Sequence, residues 1–251
     1  MAVGDRIRNV GANDRWLVVV AHPDDESFGC GSLIAHAAGR GAEVTVVCAT
    51  RGEAGTPAYE LDPNESLASV REAELRAAAA ILGAARVDVL DYRDSDFDGA
   101  LRDGCWCAAP EPELVDIVMR YLVELEPTVL LVLDGSDGHR DHIRSRDVAC
   151  EAARRMDSDA EVWEHCIPNA VMRQWLAEMQ SVKPDAAYHA LDPATLGRPD
   201  ADIMMSIDTA HVLDQREAAI ATHRSQPSPF DGLSPELRRA FLTADHLARL
   251  T

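Results

Sequence analysis

His22-Pro23-Asp24-Asp25-Glu26 sets one imidazole and three carboxylates side by side, directly after the apolar run Val18-Val19-Val20-Ala21. Like charges so close repel one another unless they are protonated or joined by a cation, and a divalent metal is the economical partner. A second cluster, Asp134-Gly135-Ser136-Asp137-Gly138-His139-Arg140-Asp141-His142, follows the apolar run Thr128 to Leu133. A catalytic zinc site takes three protein ligands and keeps a position for water. His22 and Asp25, with one histidine of the second cluster, make such a set. Asp24 then stands beside a ligand without being one, where a carboxylate could take a proton from water activated by the metal. The remaining histidine, His139, could protonate a leaving group or stabilise an oxyanion, with Asp141 fixing its tautomer. Asp141 also reads as a cap for the helix after His142. Glu26 reads as a first-turn carboxylate that favours a helix dipole.

These clusters meet only if the fold brings two distant strand ends together. Trp16 to Ala21 reads as a strand, Ser27 to Ala38 as a helix closed by Gly39 and Gly41, and Glu43 to Ala49 as a second strand. Strand, helix, strand with short joins is a βαβ unit, with parallel pairing and a right-handed crossover. Thr50 to Asn64 is a long polar loop. Glu65 to Leu82 follows as a helix with Leu67, Val70, Leu75, Ala78, Ile81 and Leu82 inward. Val87 to Leu90 is a third strand, Pro112 to Leu125 a helix, Thr128 to Leu133 a fourth strand, and Ser145 to Arg155 a helix. Glu161 to Met179 fits either strand or helix. Ala186 to Leu191 and Ile203 to Ile207 read as short strands, and Asp208 to His223 as a helix. Ser234-Pro235 opens a C-terminal helix with Leu237, Phe241, Leu242 and Leu250 as its buried stripe. In an open parallel sheet, ligand sites lie beyond the carboxyl ends of the strands. Both clusters would then share one rim. No repeat, low-complexity tract or linker divides the chain, so residues 1–251 are expected to form a single domain.

The chain has 251 residues and a formal charge of -19, a surface that repels nucleic acid and anionic lipid. No apolar window is long enough to span a membrane, and Met1 to Arg15 lacks the apolar core of a signal peptide. A cytoplasmic location is expected. The six cysteines include no CxxC pair, which points to reduced thiols rather than a zinc ribbon. Gly29-Cys30-Gly31-Ser32-Leu33-Ile34 lacks the third glycine of a dinucleotide fingerprint, and no Gly-Lys, GxSxG or HExxH signature occurs.

AHPDDE after one apolar strand and GHRDH after a later one resemble the zinc-dependent de-N-acetylases of the LmbE/PIG-L family. The similarity runs from Trp16 to about Gln226. It implies a Rossmann-like α/β fold: an open, mostly parallel sheet with helices on both faces. It implies removal of an acyl group, typically acetyl, from an N-acyl amino sugar or glucosaminide, a small-molecule substrate. His22, Asp25 and His142 match the family's metal ligands, for zinc or alternatively iron(II), and Asp24 matches its general base. His139 matches the histidine that polarises the carbonyl or protonates the amine, and Asp141 its partner. Arg71 and Asp94 resemble sugar-binding residues, and His223-Arg224-Ser225-Gln226 resembles a late HxSQ motif. Two departures stand out. Asp137 lies where some mycothiol-type relatives carry a tyrosine that contacts the reacting group, and Arg140 lies where relatives often have proline. Cleavage of a larger conjugate, as by a mycothiol-conjugate amidase, and a metal-binding module without activity are the alternatives. A homo-oligomer is compatible with either.

Overall fold

The computed structural model describes residues 5–183 and 192–249. A short helix α1 (Asp5–Arg8) leads into β1 (Arg15–Val20), whose residues are almost wholly buried. Next come α2 (Asp25–Phe28), α3 (Gly31–Ala38), β2 (Glu43–Thr50), α4 (Leu67–Leu82) and β3 (Arg86–Tyr92). The second half runs α5 (Glu111–Leu125), β4 (Val129–Leu133), α6 (Arg140–Arg155), β5 (Glu161–Cys166) and α7 (Asn169–Val182). After residues 184–191, β6 (Met205–Asp208), α8 (Leu213–Ile220), α9 (Pro235–Thr243) and β7 (Ala244–Arg249) complete the described chain.

The strands form one sheet in the order β3-β2-β1-β4-β5-β7-β6. The first five are parallel, and β7 runs antiparallel to both β5 and β6. Val18 is central: it pairs with Val46 on one side and Leu131 on the other. Alternation along β1 sorts its side chains between two cores. Trp16, Val18 and Val20 pack with Leu33, Ile34, Leu75 and Leu82 of α3 and α4. Leu17 and Val19 pack with Leu114, Val118, Val148 and Ala152 of α5 and α6. Helices therefore cover both faces, as the family resemblance implies and as a buried parallel sheet requires.

Several boundaries differ from the sequence reading, each for a physical reason. The helix expected over Ser27 to Ala38 breaks at Gly29-Cys30. There Arg216 donates to the carbonyls of Ser27, Phe28 and Gly29, and a Cβ on Gly29 would lie 2.6 Å from Leu133. In α4, Leu67 and Val70 are only half-buried and Ile81 is exposed, while Arg71 occupies the buried face. Helix α6 begins at Arg140, not Ser145, with His139 as its N-cap. Glu161 to Met179 resolves into β5 and α7, parted at Pro168. Asp208 to His223 is a single turn at Ala210–Val212 followed by the shorter α8. The C-terminal helix ends at Thr243 and β7 takes over. Ala186 to Leu191 and Leu250 lie outside the described residues. No described helix is long and apolar enough to cross a membrane.

Candidate active site

Strands β1 and β4 are parallel neighbours, yet β1 continues through α2 and α3 to β2, and β4 through α6 to β5 on its other side. Connections that part in this way leave a crevice at the carboxyl ends of the strands. The two sequence clusters fill it. His22 Nδ1 lies 3.2 Å from His142 Nε2, across 120 positions of sequence. Asp25 Oδ1 lies 3.2 Å from that His142 nitrogen, and Asp25 Oδ2 3.7 Å from His22 Nδ1. Backbone N–H groups of Ala21 and His22 donate to Asp25 Oδ2 and hold the carboxylate in place.

The outer nitrogens of both imidazoles are also addressed. His22 Nε2 faces Asp141 Oδ2 at 3.2 Å and Asp94 Oδ1 at 3.6 Å, and His142 Nδ1 faces Asp137 Oδ2 at 2.6 Å. A carboxylate behind a ligand histidine fixes the tautomer and turns the opposite nitrogen's lone pair toward a metal. Asp141 is fully buried and also accepts from the Ser95 N–H and the Cys107 thiol. Its carboxylate thus orients His22, not His139 as the sequence suggested. Asp137 was not read as a partner of His142; its position five residues upstream, across the tight turn at Gly138, was the available signal.

Two donor groups among the described residues could hold an ion. The Nδ1 side of His22 meets Asp25 and His142, with His139 close by: the three histidines present nitrogens within 4.8 Å of one another. The Nε2 side meets Asp94 and Asp141, also within 4.8 Å, but all three of those residues are buried. Both the histidine–aspartate–histidine set and its backing carboxylates suit a borderline ion such as zinc.

Asp24 is set apart from these donors by its backbone. Its φ of 134° lies in a region that side-chain-bearing residues rarely occupy. Its N–H donates to Glu26 Oε2 at 3.0 Å, and Arg71 Nη2 donates to its Oδ2 at 2.8 Å. Arg71 is itself buried, and three further bonds run from its guanidinium to the carbonyls of Pro23 and Gly52. The guanidinium expected at a sugar hydroxyl lines the cavity and also braces the candidate base. Behind it, His223 Nε2 donates to Glu26 Oε1 at 2.6 Å, and Ser225 donates twice to Glu74 of α4. The late HRSQ segment is tied to the first cluster and to the helix that carries Arg71.

The electrostatics follow from this crowding. Burial lowers the pKa of His22, but hydrogen bonds to Asp141 and Asp94 and the charge of Asp25 outweigh it, raising it to about 9. Burial also works against the His142 cation, yet Asp137 and Asp25 hold its pKa well above the usual value. Burial would raise Asp25, but His142 and His22 keep it well below the usual carboxylate range. Asp24 moves the other way: burial raises it to about 6, against the pull of Arg71. His139 is lowered to about 4, first by burial and then by the charges on His22 and His142.

The groups open onto a cavity of about 510 Å³ that His22, Asp24, Asp25, Arg71, Asp94, His139 and His142 all line. Its size is that of a small-molecule site.

The sequence profile of the family described as PIG-L, GlcNAc-PI de-N-acetylase, matches residues 17–153, more than half of the chain and spanning both clusters. The chain belongs to the PIG-L family. A PIG-L relative from Thermobispora bispora, named 1D-myo-inositol 2-acetamido-2-deoxy-alpha-D-glucopyranoside deacetylase, is 32% identical over 241 residues, covering 86% of this chain and 80% of the relative. N,N'-diacetylchitobiose deacetylase from Pyrococcus horikoshii superposes with a TM-score of 0.64 at 20% identity, covering 100% of this chain and 87% of its own. The 4-carboxy-2-hydroxymuconate hydratase from Pseudomonas putida superposes equally well, with a TM-score of 0.64 at 19% identity over 95% of this chain and 96% of its own. The shared fold thus serves more than one reaction, and only the site can distinguish them.

Proposed function

We propose that this PIG-L family member hydrolyses the amide of an N-acyl amino sugar, a glucosaminide in the first instance, to a free amine and a carboxylate such as acetate. The sugar part of the proposal draws on the name of the Thermobispora relative. The observation that carries the chemistry is the placement of Asp24. It lines the cavity beside the His22, Asp25 and His142 donors, and its pKa of about 6 suits a base at neutral pH.

His22, Asp25 and His142 are proposed as the ligands of one divalent ion, zinc or alternatively iron(II). All three line the cavity, which leaves room for an open position, whereas in the other set Asp141 is fully buried and does not line it. Such an ion, when bound, supplies Lewis acidity: it polarises a carbonyl and lowers the pKa of water. Asp24 takes the proton of the attacking water, its carboxylate aimed by Arg71 and by the Glu26 contact to its N–H. His139 is neutral at pH 7, and its Nδ1 accepts from the Asp141 N–H at 3.2 Å. That leaves its Nε2 as a donor, suited to hold the oxygen on which negative charge develops. Asp24, having gained a proton, then returns it to the departing amine. Asp94 backs His22 and borders the cavity, so it can meet a sugar hydroxyl as well. All seven described strands share one sheet, which supports reading residues 1–251 as one domain.

The test is a free-amine assay with the metal-loaded protein on a panel of N-acyl glucosamines, their glycosides and larger conjugates. Amine release slowed by ~10²–10⁴ in Asp24→Asn is expected. No release from any member would exclude the activity, and release confined to conjugates would make the enzyme an amidase of that class.

A further inference from the structure

The cavity has two unlike ends. On the side of β2 and β3 it is walled by Arg71, Asp94 and Asp96. Beyond the ends of β4 and β5 it is walled by Phe28, Ile167, Met172, Trp175, Phe230 and Phe241. These six come from five separate stretches of the described chain, so the fold and not the sequence assembles them. Phe230 sits between Phe28 and Phe241, with ring centroids 6.0 and 5.6 Å away. Trp175 Nε1 donates to the Pro229 carbonyl at 2.8 Å, so the indole's polar atom is bonded and its ring serves as apolar wall. A sugar pressed against these apolar side chains would lose water from its hydroxyls, with hydrogen-bond partners on this side limited to Asp134, Ser136 and His165. The carboxylate end offers acceptors for a polyol. The proposed ligands and Asp24 lie between the two ends, where the scissile amide has to be. Its nitrogen carries the sugar, and its carbonyl carbon carries the acyl group.

We propose that the apolar end is an acyl-chain subsite, and that the preferred substrate is an amino sugar bearing a medium-length N-acyl chain and not only an acetyl group. The proposal rests on the hydrolase reading above and extends it. An acetyl group ends one carbon past the carbonyl and would leave the aromatic wall facing water. A chain of six to eight carbons would cover it.

The metal-loaded enzyme is assayed on N-acetyl-, N-butyryl-, N-hexanoyl- and N-octanoylglucosamine, and in parallel on methyl, butyl and octyl glycosides of N-acetylglucosamine. Burying a methylene is worth about fourfold. From acetyl to hexanoyl, kcat/KM is therefore expected to rise at least about tenfold. The glycoside series is expected to stay flat. A flat or falling N-acyl series overturns the proposal, and so does a rise confined to the glycosides, which would seat an aglycone at the apolar end. Ile167→Trp, which fills the subsite, is expected to lower the octanoyl-to-acetyl ratio at least about tenfold.

A second readout needs no turnover. Trp16, Trp106 and Trp163 are buried at 1, 0 and 1% exposure, whereas Trp175 borders the cavity. Octanoate, but not acetate, is expected to shift the tryptophan emission of the metal-loaded protein to the blue, and Trp175→Phe is expected to remove the shift. An unmoved emission overturns the subsite even where acetamides are hydrolysed. A shift in a protein that hydrolyses none of the amides supports the subsite and overturns the hydrolase reading.

Discussion

Asp24 and Asp25 are adjacent carboxylates with opposite electrostatic fates, and residue-level contacts explain the split. Asp25 takes two backbone N–H groups and faces two imidazoles, which stabilise its charge. For Asp24 burial prevails over Arg71, and its pKa rises to about 6. A base must be deprotonated to act, so activity is expected to fall as pH drops through that pKa. The ion is expected to displace about two imidazolium protons, so the charge beside Asp24 changes little and the acid limb of kcat/KM is expected near pH 6 with metal in excess. A limb centred above pH 7 would contradict the assignment. Asp24→Asn is expected to lower kcat by ~10²–10⁴ while the ion stays bound. His139 acts through a hydrogen bond in this account, not through its own proton. His139→Ala should cost ~10²–10³ in kcat, and His139→Gln, which keeps an N–H donor, should recover part of it. Equal loss in both variants would favour a proton-transfer role for the imidazole.

At the scale of elements, the site exists because β1 and β4 are adjacent while their following connections diverge. Those strands were legible because they are fully buried apolar runs ending in clustered charge. Strand β7 was not legible. Asp245 sits buried in it, bonded to Thr209 and facing His165 at 3.1 Å, and a paired buried carboxylate breaks the apolar alternation that marks a strand. Spacing singled out His22, Asp25 and one histidine of the second cluster, and the family resemblance chose His142, but the link from Asp141 to His22 spans 119 positions and has no local signature. The bracing role of Arg71 was equally hidden, since its partners are the Asp24 carboxylate and backbone carbonyls of two loops. One of them, Gly52, has φ of 64°, and a Cβ there would meet the Arg71 guanidinium at 2.3 Å. Gly52→Ala is therefore expected to displace Arg71 and lower kcat, with a smaller change in KM. Unchanged kinetics would show that Arg71 does not position the base. Glu26→Gln weakens the buried contact to His223 behind Asp24 and is expected to lower kcat in the same way.

Across the whole molecule, metal binding, protonation and stability are coupled. His22 and His142 both carry raised pKa values, so loading the ion at pH 7 is expected to release about two protons. Calorimetry in buffers of different ionisation enthalpy reads that number directly. An ion at one hundred times its Kd adds about 2.7 kcal/mol of stability. In a chain of this length that raises Tm by about 5–10 °C, and a chelator should reverse it. Everything proposed for the chemistry depends on one ion bound on the cavity side of His22 and not on the buried side. Metal content per chain after dialysis, compared for the wild type, His142→Ala and Asp94→Ala, tests this most directly. The account expects one ion in the wild type, retention in Asp94→Ala and loss in His142→Ala. Loss in Asp94→Ala with full retention in His142→Ala would contradict it.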